Sequence, residues 1–173
     1  MTEDVTREPE CWTASSYYVT VQVECPLDSA WEHLINYRAW NPSFQDAVVE
    51  HLGGTTNAAG GRVLIRKTAE FMDSQRVPDF YADTLILDSN RHQVVWYVSP
   101  TVGRMFRNFV DFRLALLSEK RVQFEISYYE QNQLTGAALD SHRIAYEADL
   151  KDLANAFRSH CEGIHAITIA QVE

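Results

Sequence analysis

The C-terminal stretch, residues 140–173, constrains what this chain can fold into more than any other. Its apolar residues Tyr146, Leu150, Leu153, Phe157, Cys161 and Ile164 recur at three- and four-residue steps, while Lys151, Asn155, Arg158, Ser159 and Glu162 fall on the other side. That is the period of an amphipathic helix. About 28 residues at 1.5 Å each span roughly 40 Å, too long for a small helical bundle and long enough to lie across a whole sheet. Asp140 or Ser141 can cap its start, although no Glu or Gln follows three residues on to complete a capping box. Gly163 either ends the helix early or sits inside it at a cost of about 1 kcal/mol relative to Ala.

A helix of that length needs a sheet to cover, and the upstream chain supplies strands. Residues 17–25 alternate, with Tyr17, Val19, Val21, Val23 and Cys25 on one side and Thr20, Gln22 and Glu24 on the other. Pro26 ends this strand and suits the first turn of a helix, whose face is Ala30, Trp31, Leu34 and Ile35. Residues 36–44 hold a second short turn or helix, interrupted at Pro42. Strands then follow in pairs: 47–52 with 62–72 across a glycine-bounded connector, 80–87 with 93–99, and 106–117 with 121–131. In the last pair Val110, Phe112, Leu114 and Leu116 share one face, as do Val122, Phe124, Ile126 and Tyr128. Both rows are expected to point inward, leaving Asp111, Arg113, Gln123, Glu125 and Ser127 to water. The order is strand, two short helices, six strands, long helix, an α+β chain in which residues 1–15 form a leader and 16–173 a single domain.

The formal charge of -9 opposes a phosphate backbone, so nucleic acid is not an expected partner. Cys11, Cys25 and Cys161 cannot all pair internally and lack ligand-like spacing. With no apolar signal run near the start and no 18-residue apolar segment, they indicate a cytoplasmic protein without integral membrane contact. No zinc, calcium, nucleophile-elbow or dinucleotide motif is present, and no cofactor is expected.

The residues from the first strand into the helices carry a family resemblance. Cys25-Pro26 is followed by Trp31, Leu34 and Ile35, then by Trp40-Asn41-Pro42-Ser43-Phe44; further matches are Val94-Val95-Trp96, Phe112-Arg113-Leu114, and Glu130 followed by Gly136. In these the chain, over residues 17–173, resembles the START/polyketide-cyclase (SRPBCC) superfamily. It departs from that pattern at Cys25, at Asn36 and in the glycine-free hairpin Ser118-Glu119-Lys120. The resemblance implies the helix-grip fold, a curved seven-stranded antiparallel sheet wrapped around a long C-terminal helix, with an apolar cavity between the two.

Aromatic content of 12% suits such a cavity as well as it suits a filled core. The expected ligand-binding walls are Trp96, Val110, Phe112, Leu114 and Phe124 on the sheet, facing Tyr146, Leu150, Leu153 and Phe157 on the helix. Ligands of fused-ring, polyketide or lipid-like type fit such walls. If the site is catalytic, a polyketide cyclase, aromatase or dehydrase needs a proton acceptor and a donor for an enolate oxygen. Tyr128 is the first candidate, Glu130 its paired carboxylate, and His51 a further base; Arg66, Asp83, Arg107 and His142 also lie in or beside the elements. Each has an ordinary alternative as a wet-face, capping or rim residue. Trp31 and Trp40 read as structural. A third possibility is a ligand-free interaction module using Val102, Met105 and Phe106.

Overall fold

The computed structural model describes residues 12–45, 47–54, 59–67, 79–101 and 106–170. Strand β1 (Thr13–Val23) begins earlier than the apolar alternation from Tyr17, because backbone pairing continues where the side chains turn polar. Pro26 opens α1 (Leu27–Ile35). The second expected helix is two single turns, α2 (Tyr37–Trp40) and α3 (Pro42–Gln45). Asn41 between them is extended, the conformation that a following proline imposes. Then come β2 (Ala47–Gly53), β3 (Arg62–Lys67), β4 (Phe80–Asp88), β5 (Gln93–Pro100), β6 (Phe106–Ser118), β7 (Arg121–Asn132) and α4 (Gly136–Ala170). Of the third strand read as 62–72, residues 68–72 lie outside the described residues.

The seven strands form one sheet in the order β1-β7-β6-β5-β4-β3-β2, with every described pairing antiparallel. The N-terminal strand thus pairs with the last, and β1 and β2 are the edges. Register irregularities at His51/Gly53, Thr84/Ile86 and Leu116/Ser118 add local twist and bend the sheet.

One sheet face and α4 enclose the core. Trp40 reaches in from α2 and meets Phe112, Phe124 and Phe157 with ring centres 5.0–6.0 Å apart, while Phe124 and Phe157 lie 4.2 Å apart. These edge-on and tilted contacts are the favoured aromatic geometries. The buried stripe of α4 is Leu150, Ala154, Phe157 and Cys161, with Leu153 part-buried.

Three expectations are corrected. Leu116 is 59% exposed, because the irregularity beside it turns the end of β6 away from the core row. Ile164 is also exposed: the Glu24 amide donates to Glu162 Oε1 (3.1 Å), so β1 has already ended there and α4 has run past the sheet. The helix starts at Gly136, ahead of Asp140, on a residue with φ +56° that glycine adopts without a steric penalty. Gly163 lies inside the helix.

Candidate functional site

The inward row of β7 changes character along its length. Val122, Phe124 and Ile126 are apolar, but the same period continues through Tyr128, Glu130 and Asn132, all buried. Across the sheet Tyr128 faces Tyr17 on β1 and Val110 on β6, and Glu130 faces Ser15 and Asn108. One end of the interior is therefore packed with aromatics and the other is lined with hydrogen-bonding groups.

Glu130 is the centre of the polar end. The Tyr17 hydroxyl donates to its Oε1 (2.9 Å), Asn132 Nδ2 donates to the same oxygen (3.1 Å), and His142 Nε2 lies 3.1 and 3.0 Å from Oε1 and Oε2. Three partners compensate a carboxylate removed from water. His142 comes from α4, and its position is set by the connector before the helix. Asn132 Oδ1 accepts from the Leu134 amide (3.0 Å), and Thr13 Oγ1 donates to the Leu134 carbonyl (3.1 Å). These bonds tie the connector to both neighbouring strands, so the first turns of α4 arrive over Glu130. Arg143 Nε adds a bond to Ser15 Oγ (3.3 Å).

Two buried polar atoms of this end have no hydrogen-bond partner among the described residues, Tyr128 Oη and Asn108 Oδ1. Tyr128 is 3% exposed and Asn108 8%. The Tyr128 and Tyr146 rings pack at 4.6 Å. The Tyr146 hydroxyl is near enough for a poorly aligned hydrogen bond that opposes ionisation of Tyr128, short of the geometry of a full hydrogen bond. Burial, more than any neighbour, pushes all three phenols up: Tyr17, also bonded to Glu130, to about 12, and Tyr128 and Tyr146 further still. They are protonated at physiological pH and available as hydrogen-bond donors.

The two halves of α4 differ. From Leu150 onward it grips the core, whereas between Gly136 and Asp149 only Leu139, His142 and Tyr146 are even partly buried. The sequence-read wall residues divide accordingly. Phe112, Leu114, Phe124, Leu150 and Phe157 are buried in the core, and the gaps beside Trp96, Tyr37 and Thr84 are only about 10 Å³ each, at the limit for one water. Val110 and Tyr146 stand at the polar end, and Leu153 is part-buried.

The catalytic candidates also separate. Tyr128 and Glu130 are neighbours in one row, and His142 joins them. His51 is exposed on β2, the opposite edge from β1 and β7. Arg66 pairs with Glu50 (3.2 Å), Asp83 with Arg62 (2.8 Å, Nη2 to Oδ2), and Arg107 lies on the outer face. Trp40 is a core residue, and Trp31 stands edge-on to His92 at 5.5 Å. Val102 and Met105 lie outside the described residues. Tyr17, Asn108 and Asn132 belong to the cluster without having been singled out as site residues. The two-residue period, carried two steps beyond Tyr128 and one step before Val110, points to both asparagines.

Compared by sequence, the chain matches no protein-family model and no curated protein. Compared by structure, it is similar to the Zhui aromatase/cyclase from Streptomyces sp. R1128 (TM-score 0.61, 19% identity, 87% of this chain and 93% of that one). It is likewise similar to Ara h 8.0201 (0.66, 7%, 86% and 98%) and to truncated norcoclaurine synthase from Thalictrum flavum (0.63, 9%, 88% and 96%). This is the helix-grip fold. All three matches span nearly the whole of the compared chains, so the likeness covers sheet and long helix together, as the motif resemblance implies. At these identities it speaks for the scaffold, and the chemistry of this helix-grip chain has to be argued from its own residues. Among the described residues no helix is long and apolar enough to cross a membrane, and no three His, Cys, Asp or Glu side chains converge as a metal site.

Proposed function

We propose that the protein binds a hydrophobic small molecule of fused-ring, polyketide or lipid-like type between the sheet and the first half of α4. The oxygen functions of the ligand sit against Tyr128, Asn108 and the Glu130–His142 pair. The observation that carries this reading is the pair of buried atoms without a partner among the described residues, Tyr128 Oη and Asn108 Oδ1. A buried polar atom without a partner costs about 1–3 kcal/mol, and a phenol donor beside an amide acceptor matches a ligand that carries a carbonyl and a hydroxyl. Val110 and Tyr146 flank the position with apolar surface.

The test compares wild type with Tyr128→Phe, using 1,8-dihydroxyanthraquinone as a neutral fused-ring probe followed by tryptophan quenching. Loss of one hydrogen bond weakens binding about tenfold. The same substitution raises stability by about 1 kcal/mol, because it removes an unsatisfied hydroxyl and keeps the ring. Absence of binding, or equal affinity of the two proteins, would falsify the reading.

A second reading, an enzyme of cyclase, aromatase or dehydrase type, is favoured by the Glu130–His142 contact. A carboxylate joined to an imidazole can take a proton from carbon beside a carbonyl, while the Tyr128 hydroxyl, held protonated by burial, donates to the developing enolate oxygen. Two of the structurally similar proteins are named as enzymes. Turnover of a poly-ketone surrogate that Glu130→Gln abolishes supports catalysis; turnover that survives the change removes Glu130 from the mechanism.

A further inference from the structure

The outer face of the sheet is polar where β6 and β7 carry Asp111, Arg113, Gln123, Glu125 and Ser127, but one rung breaks the rule. Tyr97, Phe109 and Tyr129 stand side by side on β5, β6 and β7, paired Tyr97 to Phe109 and Phe109 to Tyr129. Phe109 is 44% and Tyr129 53% exposed, and the Tyr97 and Phe109 ring centres are 5.1 Å apart. Leu85, exposed at the β4 irregularity, extends the apolar strip. With Arg107 and Gln131, and with Ala14, Ser15, Ser16 and Glu130 along the β1 side, these residues line an open hollow of about 700 Å³, within the range of small-molecule sites.

The charge in this hollow is as informative as its floor. Arg62 and Arg113, on the same face, are neutralised by Asp83 and Asp111. Arg107 instead lies 5.7 Å from the Trp12 ring centre and pairs with no carboxylate among the described residues. On a chain of net charge -9, a guanidinium with no carboxylate partner among the described residues, set beside three aromatic rings, is a local exception. Guanidinium binds carboxylate through two parallel hydrogen bonds, and an aromatic floor favours a flat apolar body.

The geometry points to a second ligand site on the outer face, specific for a planar aryl carboxylate. The rings of Tyr97, Phe109 and Tyr129 carry its apolar body, and Arg107 takes its carboxylate. Its floor is the outer face, where Tyr129 and Gln131 point outward while Tyr128 and Glu130 point inward, and it adjoins the interior polar end where Ser15 and Glu130 border it.

The intact protein is titrated with 2-naphthoate by calorimetry, in parallel with neutral 2-naphthamide. Naphthoate binds at one site per chain and at least tenfold more tightly than the amide. Arg107→Gln and Phe109→Ser, both at exposed positions, each weaken it at least tenfold, whereas Tyr128→Phe leaves it unchanged. The proposal is overturned if naphthoate does not bind or if the amide binds as well. It also fails if Tyr128→Phe weakens binding while Arg107→Gln does not, which would place the probe in the interior. A sedimenting dimer that Phe109→Ser dissociates overturns it too, by showing the face covered by a second copy.

Discussion

Single residues here carry opposite kinds of burden. Tyr128 and Asn108 hold buried atoms that no described residue satisfies, so their polarity lowers stability and calls for a functional explanation. Cys25 and Cys161 are the reverse case: both are free, buried and in mutual contact, with thiols pushed up mainly by burial, the profile of inert packing. Gly163 is a third kind. It sits within α4 at an exposed position, and a Cβ added there would meet nothing within 4 Å. Gly163→Ala therefore relieves the backbone entropy cost of a helical glycine and raises stability by about 1 kcal/mol, read as a higher urea midpoint at unchanged m-value. A lower midpoint would show that the helix does not continue through residue 163 as described.

Among the elements, α4 does two jobs with two segments. Its later half packs Leu150, Ala154, Phe157 and Cys161 into the sheet, and its earlier half delivers His142 and Tyr146 to the polar end. Its contact with α1 adds a pH dependence. His33 and His160 meet edge-on with ring centres 5.0 Å apart. Both are held below the ordinary histidine value of 6.5, by burial first, with Glu32 opposing the effect at His33 and His33 adding to it at His160. The unfolded chain then takes up protons at a higher pH than the folded one. The stability this contact contributes is full above pH 6.5 and declines as pH falls through 6.5 toward the depressed folded values. Urea midpoints at pH 7.5 and 5.5 drop for the wild type and drop less for His160→Gln; equal declines would remove the pair from the pH response.

At the level of the whole molecule, the sheet cannot stand without its cover. Tyr17, Val23, Ile65, Phe112, Phe124 and Ile126 all look inward, and α4 shields much of that row. A chain ending at residue 135 leaves an apolar face far larger than soluble monomers expose, and is expected to aggregate or to lack a cooperative thermal transition by near-ultraviolet circular dichroism. A sharp transition in that truncated chain would show that the sheet and the short helices form a core by themselves. The same dependence explains why the polar end matters: it is where the cover is held by hydrogen bonds to Glu130 instead of by packing.

The amino-acid sequence by itself determined the elements, since period two along the strands and three to four along α4 are local properties that survive without a partner. It placed Tyr128 and Glu130 in one inward row for the same reason. It did not reveal that His142, twelve residues beyond Glu130, would reach that carboxylate, because the distance depends on the bonds of Asn132 and Thr13 to the connector and on how α4 lies across the sheet. Nor did it distinguish cavity wall from packed core among Phe112, Phe124 and Phe157, all apolar and all inward. Only tertiary structure brings Trp40, which arrives from a separate element, against all three rings, a contact that no local period encodes.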